Sequence, residues 1–225
     1  MDFLYAILPN LKRLGPELLN SIWQTLVMVG VAGSIAWVLG LLVGVLLVTT
    51  RPGGILENKP TYIVLDRAID VVRSIPFIIL IVLLIPLSRF LVGTGSGVTG
   101  SFVALVCGTV PFFARQIESV LSGLSRGLIE ASEAMGFSAW EIIFRVYLKE
   151  SIPGITRVTM ITFVSLVGLT AIAGAIGAGG LGDFAIRYGY QMGYRDMIWS
   201  TVLIILLLVT IIQLVGGFII KRTTH

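Results

Sequence analysis

Four long stretches without a charged residue constrain what this chain can fold into. They are Leu18–Thr50, Phe90–Ala114, Val158–Gly182 and Met197–Ile220. A helix needs about 20 apolar residues to cross the hydrocarbon core of a bilayer, so each stretch is long enough to span it. Of the 225 residues, 56% are hydrophobic and 12% are charged, whereas a soluble domain carries about 25% charged residues. The sequence therefore predicts an all-α integral membrane protein.

A fifth span is less regular than the other four. The uncharged stretch Ser74–Ser88 is short, but a helix that begins near Asp66 is long enough, with Asp70 and Arg73 at the membrane edge. Those two charges lie three residues apart, a spacing at which helical side chains can pair. We therefore expect one transmembrane domain with five helices. The predicted spans are residues 20–49, 66–88, 98–121, 156–177 and 197–220, with a loop at about 125–153 between the third and the fourth.

The distribution of basic residues indicates how the spans are oriented. Five spans place the termini on opposite sides, and with the N-terminus outside, most of the 16 Lys and Arg residues fall in cytoplasmic segments. Lys12 and Arg13 favour the opposite orientation. Because cytoplasmic loops carry an excess of Lys and Arg, we expect the N-terminus outside and the C-terminus in the cytoplasm. The dispersed basic residues do not form the patch of a nucleic-acid-binding protein.

The segment between Arg115 and Arg157 is polar enough to need a partner outside the hydrocarbon. It either docks a protein or lies as an amphipathic loop on the bilayer surface. Acidic residues are repelled by anionic headgroups, which favours a protein partner. The acidic residues in question are Glu130, Glu133, Glu141 and Glu150.

Local signals in this segment predict two short helices joined by a tight bend. Ile129–Met135 is rich in helix formers, and Gly136 stands where a glycine commonly ends a helix. Ser138 and Glu141 have the spacing of a capping box, in which each side chain bonds the other residue's backbone amide. We therefore expect a second helix from about Ala139 to Lys149.

The same segment resembles the EAA loop of bacterial ABC importer permeases. The matching residues are Glu130-Ala131-Ser132, then Gly136, and further on Leu148 and Pro153-Gly154. Two positions depart from the family pattern, with Lys149 in place of proline and Val146 in place of isoleucine. In that family the loop forms a coupling helix that seats in a groove on the ATP-binding subunit. The resemblance implies this role for Glu130, Ala131, Ser132, Gly136, Ser138 and Glu141.

Further segments are similar to the permeases of methionine ABC importers. They are Val48–Gly53, Arg73–Leu80 and Gly174–Gly182. The resemblance implies a homodimeric pore in the bacterial cytoplasmic (inner) membrane, two ATPase subunits that carry ATP-Mg, and an extracytoplasmic substrate-binding protein. A related importer for another small solute is the alternative, and the isomer of methionine is left open.

The residues that catalysis or metal binding would need are scarce. The chain has one cysteine, Cys107, and one histidine, His225, so no catalytic pair and no metal site is expected. It also lacks the P-loop motif that would hold ATP. We therefore expect a pore subunit without a cofactor of its own. An autonomous channel or secondary carrier is the other alternative, but it would leave the acidic segment unexplained.

A translocation path is suggested by Thr156, Thr159 and Thr162, which share one side of the fourth predicted span, and by Pro76, which can kink the second. Each hydroxyl could equally bond the carbonyl one turn back, and the proline could mark a static bend. The five glycines of Gly174–Gly182 predict either a closely packed turn at the outer mouth or a simple helix end.

Overall fold

A computed structural model of the protein describes residues 10–223, and His225 lies outside them. The first helices are α1 (Leu11–Thr50), α2 (Lys59–Ser74), α3 (Phe77–Leu83), α4 (Ile85–Val92) and α5 (Gly97–Ser122). After them come α6 (Arg126–Ala134), α7 (Ala139–Glu141), α8 (Ile152–Ala173), α9 (Gly180–Phe184) and α10 (Arg195–Thr223). Three π-helical segments follow α7, α8 and α9, namely Ile142–Leu148, Gly174–Ala178 and Ala185–Gln191. The described residues contain no strand, so the all-α prediction is confirmed.

Four helices among the described residues are long and apolar enough to cross a membrane. They are Leu11–Thr50, Gly97–Ser122, Ile152–Ala178 and Arg195–Arg222. Each overlaps one of the four uncharged stretches of the sequence. In lipid every backbone polar group must find a partner inside the protein, which a continuous helix provides.

The predicted second span, 66–88, is not one continuous helix. Ile75 is extended, with φ −85° and ψ 121°, and separates α2 from α3. The ring of Pro76 is the reason, because a proline disfavours the helical conformation at the residue before it. A second break falls at Leu84, and Pro86 then lies in the first turn of α4, where a proline is tolerated. The prediction rested on the scarcity of charged residues in this stretch, which carries no information about interruptions in a helix.

The chain divides into two compact units. The first comprises residues 10–34, 76–107 and 163–212, and the second comprises 35–75, 108–162 and 213–223. Phe184, Leu181 and Met197 are buried in one cluster of the first unit. The largest cluster of the second unit contains Phe113 and Ile117. The sequence analysis did not predict this division.

The glycine-rich turn is packed against α1 inside the first unit. The amide of Gly180 donates to the Gln24 side-chain oxygen at 2.7 Å. The amide of Leu181 donates to the Thr25 hydroxyl at 2.9 Å, and Thr25 in turn donates to the carbonyl of Ser21. These bonds satisfy backbone donors that a broken helix leaves open. The turn is therefore a closely packed structure and not a loose helix end.

Gly174 allows this turn to fold back on itself. A Cβ at this position would lie 2.6 Å from the amide nitrogen of Asp183 and 2.7 Å from the carbonyl oxygen of Gly179. Both are backbone atoms, which cannot swing aside as the end of a flexible side chain can. The close approach of the two backbone segments therefore requires glycine.

We expect Gly174→Ala to destabilise the protein by about 1–3 kcal/mol, the usual cost of overpacking. Thermal unfolding in detergent measures this loss. Gly168→Ala is the matched control on the same helix, since a Cβ there meets nothing within 4 Å. Equal melting temperatures for the two variants would contradict the packed turn.

Candidate coupling site

The first half of the predicted coupling segment is helix α6. Ser125 precedes it, and its hydroxyl accepts a hydrogen bond from the amide of Leu128 at 3.3 Å. This is the usual way in which a serine caps a helix N-terminus. Glu130 is exposed and lies 3.7 Å from Arg126, one turn earlier. At such exposure the pair contributes little to stability, so the carboxylate is accessible to a partner.

The bend follows directly and has the geometry of a Schellman motif. The amide of Phe137 donates to the carbonyl of Ser132 at 3.1 Å, and the amide of Gly136 donates to the carbonyl of Glu133 at 2.9 Å. Gly136 has a φ of +81°. An L-residue pays roughly 1–2 kcal/mol in that left-handed conformation, which explains the glycine. The predicted helix end at Gly136 is confirmed.

The second helix begins with the predicted capping box. The amide of Ser138 donates to a carboxylate oxygen of Glu141 at 3.0 Å, and the amide of Glu141 donates to the Ser138 hydroxyl at 3.4 Å. The bond from the Ser138 amide holds the pKa of Glu141 below its ordinary value. Because this pKa is lowered by folding, the box stabilises the fold at neutral pH and is lost as the pH falls through the lowered value.

The six predicted coupling residues do not share one orientation. Glu130, Ala131, Gly136 and Ser138 are exposed, and Glu141 is half-buried. Ser132 is only 2% exposed, and its hydroxyl donates to the carbonyl of Leu128 at 2.8 Å. A partner could therefore reach most of the segment, whereas Ser132 belongs to its internal packing. Sequence spacing alone could not separate these roles.

The buried face of the second helix ties the segment to three long helices. Ile142, Val146 and Tyr147 belong to one cluster of buried side chains. The same cluster includes Val48 of α1, the α5 residues Phe113, Ile117 and Leu121, and Val158 of α8. A dense interior transmits displacement because its side chains have little room to move. A push on the segment would therefore be passed to α1, α5 and α8 within the second unit.

A cavity of about 510 Å³ lies beside α6. Its walls include the turn after α1, the end of α5, and the charged side chains of Arg51, Arg126, Glu130 and Glu133. Arg51 donates to the hydroxyl of Ser122 at 2.6 Å, which joins the turn to α5. Charges of both signs in one open cavity suit a polar protein surface better than a small apolar ligand.

Arg115 is at the centre of an ion-pair cluster that the sequence analysis missed. Its guanidinium lies 2.6 Å from Asp66 and 2.8 Å from both Asp70 and Glu118. Asp70 therefore pairs with Arg115, and the predicted pairing of Asp70 with Arg73 is wrong. The Arg115 side chain is 20% exposed, so the cluster is a partly desolvated connection between α2 and α5. The available signal was the spacing of Asp66 and Asp70, which lie on one helix face.

Two of the three proposed path threonines use their hydroxyl groups locally. Thr156 donates to the carbonyl of Ile152 at 2.9 Å, and Thr162 donates to that of Val158 at 2.8 Å. Thr159 instead accepts a hydrogen bond from the indole of Trp37 at 3.1 Å. All three threonines belong to the second unit, whereas Pro76 belongs to the first. Across residues 10–223, no cluster of acidic, Cys or His side chains could hold a metal ion.

We expect Gly136→Ala to destabilise the bend by about 1–2 kcal/mol because alanine is strained at positive φ. Hydrogen exchange at the amides of Gly136 and Phe137 measures the opening of the bend. Gly127→Ala is the matched control, since Gly127 lies in α6 and a Cβ there meets nothing within 4 Å. Unchanged exchange in Gly136→Ala would show that the bend does not depend on glycine.

We expect Arg115→Gln to destabilise the protein by about 1–3 kcal/mol, since it leaves three carboxylates without their cation in a partly desolvated site. Thermal unfolding in detergent is the measurement. The control is Arg67→Gln, which removes a charge from an exposed position of α2. The cluster would have no structural role if both variants melted at the same temperature.

Known proteins similar to this chain are membrane transport components. Residues 38–225 match the family described as binding-protein-dependent transport system inner membrane component. The probable D-methionine transport system permease protein MetI of Vibrio cholerae is 43% identical over 208 residues, or 92% of each chain. The D-methionine transport system permease protein MetI of Escherichia coli K12 is 45% identical over 138 residues, or 61% of this chain and 64% of that protein.

Two solved structures are also similar. A chain of the MetNI methionine ABC transporter in an inward-facing conformation has a TM-score of 0.89 and 42% identity, with 92% of this chain and 96% of that one covered. An amino acid ABC transporter solved with histidines has a TM-score of 0.78 over 96% of this chain. Its 20% identity shows a shared fold alone. This chain therefore belongs to the binding-protein-dependent transport system inner membrane components, the permeases of ABC importers.

Proposed function

We propose that this chain translocates methionine across the bacterial inner membrane as the pore subunit of an ATP-driven importer. The observation that carries the proposal is the near full-length similarity to a chain of a methionine ABC transporter. Relatives named for D-methionine support the same solute. Selectivity in such importers depends largely on the binding protein, so the proposal covers methionine without choosing an isomer.

The proposed assembly has two copies of this chain, two ATPase subunits that carry ATP-Mg, and an extracytoplasmic binding protein. The N-terminus lies outside and the C-terminus lies in the cytoplasm. Four spans are the long apolar helices, and the interrupted helices α2 to α4 supply the fifth crossing. Residues 125–153 then form a cytoplasmic loop between the third and fourth spans, and the glycine-rich turn lies near the outer mouth.

In the proposed mechanism the ATPase pushes on the segment from α6 to α7, and this segment transmits the movement to the pore. ATP favours the closed ATPase dimer, and the pore follows because its two states bind that dimer with different free energies. The Schellman bend and the capping box hold the two short helices in a defined arrangement. The cluster around Phe113 and Tyr147 then passes the displacement to the long helices.

Among the path candidates, Thr159 is the one that the geometry favours. Its hydroxyl is engaged with Trp37, on a different helix, and does not donate to the carbonyl one turn back. A hydrogen bond between two helices can break or form when the helices move relative to each other. A hydrogen bond within one helical turn is unaffected by such a movement. We therefore keep Thr159 as a path residue, whereas the hydroxyl groups of Thr156 and Thr162 are satisfied within their own helix.

We expect Glu130→Arg and Gly136→Pro to lower ATP-driven methionine uptake at least about tenfold, the effect of about 1.4 kcal/mol. The charge reversal removes an exposed acidic contact, and proline cannot adopt the positive φ of Gly136. The first measurement is methionine uptake into proteoliposomes that contain the ATPase and the binding protein. The second is association of the chain with the ATPase, measured by gel filtration.

Glu17→Arg is the control for charge reversal, because Glu17 is exposed on α1 and outside the segment. It should keep uptake and association near those of the unaltered chain. Full uptake and association in both Glu130→Arg and Gly136→Pro would overturn the proposed docking segment. Uptake of a different solute by the intact complex would leave the segment in place and overturn the substrate.

A further inference from the structure

The helix after the bend has an exposed aromatic face. Trp140 is 67% exposed and Phe144 is 62% exposed. Their rings stack, with centroids 6.3 Å apart and an interplanar angle of 20°. The side chains on the other side, such as Ile142 and Tyr147, are buried. Two large adjacent aromatic groups in water are unfavourable, so this face needs an occupant.

The position of the helix relative to the long helices indicates what that occupant is. The buried side packs with Leu121, next to the last residue of α5, and with Val158, near the start of α8. The helical chain also leads into α8, which begins at Ile152. Since α5 and α8 are both long and apolar enough to cross the bilayer, the helix lies alongside their ends, at the boundary between lipid and water.

The charges around the two rings fit the same boundary. Arg145, Lys149 and Glu150 are exposed on the same helix. The two basic residues are attracted to the anionic headgroups of the cytoplasmic leaflet, and Lys149 adjoins the one exposed carboxylate, that of Glu150, that the capping box does not hold. The carboxylate of Glu141 is occupied by the capping box and lies 3.5 Å from Arg145. Tryptophan is enriched at membrane interfaces, where its ring meets the acyl chains and its N–H meets water.

Helix α6 has no aromatic residue, and its charged side chains are Arg126, Glu130 and Glu133. Its exposed surface carries the carboxylates of Glu130 and Glu133, which anionic headgroups would repel. Before the bend the two carboxylates outnumber the one basic side chain, Arg126, whereas after it Arg145 and Lys149 balance Glu141 and Glu150. The exposed aromatic pair lies after the bend.

We propose that Trp140 and Phe144 anchor the second helix in the headgroup region of the bilayer, and that α6 alone is presented to the ATPase. The occupant of the aromatic face is lipid. The anchor gives the segment a fixed side against which α6 can be pushed. It depends on the proposed function only for the identity of the protein that binds α6, and it holds for any transported solute.

Fluorescence quenching by brominated lipids tests the anchor. Trp23, Trp37 and Trp199 are replaced by Phe, which leaves Trp140 as the sole tryptophan. The full chain is reconstituted, with and without its ATPase, into vesicles of phosphatidylcholine and phosphatidylglycerol that carry or lack bromine near the top of the acyl chains. An interfacial helix buries its apolar face about 5–10 Å deep, so most of the Trp140 emission should be lost in brominated lipid.

The matched control carries Trp140→Phe and Met135→Trp in the same background. Met135 directly follows α6 and is also 67% exposed, so a tryptophan there should keep its emission in brominated lipid. If the triple replacement impairs folding, the same contribution is obtained by subtracting the quenching of Trp140→Phe from that of the unaltered chain. ATP-driven uptake is measured in parallel, so a failure of the anchor is distinguished from a failure of the transport function.

Three outcomes would overturn the anchor. Trp140 emission that survives in brominated lipid but shifts when the ATPase is added would assign the face to the ATPase. Emission that survives unchanged with and without the ATPase would show that neither lipid nor the ATPase covers this face. Equal quenching at positions 135 and 140 would show that the two short helices do not divide these roles.

Discussion

The hydrogen-bonding requirement of the backbone in lipid underlies the rest of this structure. Hydrocarbon offers no partner to an N–H or C=O group, so the chain crosses it as long helices and must supply partners wherever a helix is interrupted. The glycine-rich turn meets this requirement with Gln24 and Thr25, whose side-chain oxygens accept from its amides. These polar side chains lie in an apolar helix because a broken backbone elsewhere needs them.

The segment after α5 meets the same requirement with short-range bonds. The bend at Gly136 satisfies its last carbonyls through backbone amides, and Ser138 and Glu141 satisfy the first amides of the next helix. Both devices act within six residues, so they define the segment without help from lipid or partner. The buried cluster with Phe113 then connects this local structure to the long helices. Local order and long-range connection together make it suited to transmit force.

The features that were predictable from sequence are those with short-range causes. The helix end at Gly136 and the capping box follow from residues three or four positions apart, and the long spans follow from apolar length. Two of the three partners of Arg115, Asp66 and Asp70, were not predictable because they lie far from it along the chain. The burial of Ser132 and the packing of Ile142, Val146 and Tyr147 against α1, α5 and α8 have no signal in local residue spacing. The interruption at Ile75 had a local cause in Pro76, but the span was predicted from the apolar character of the stretch, which does not show where a helix is broken.

The central claim is that this chain is a pore whose driving energy comes from a separate ATPase. The most direct measurement is methionine accumulation in liposomes that contain the chain and the binding protein, with and without the ATPase and ATP. Accumulation against a gradient is predicted only when both the ATPase and ATP are present. Equal methionine flux through the chain alone would contradict the claim and identify an autonomous carrier.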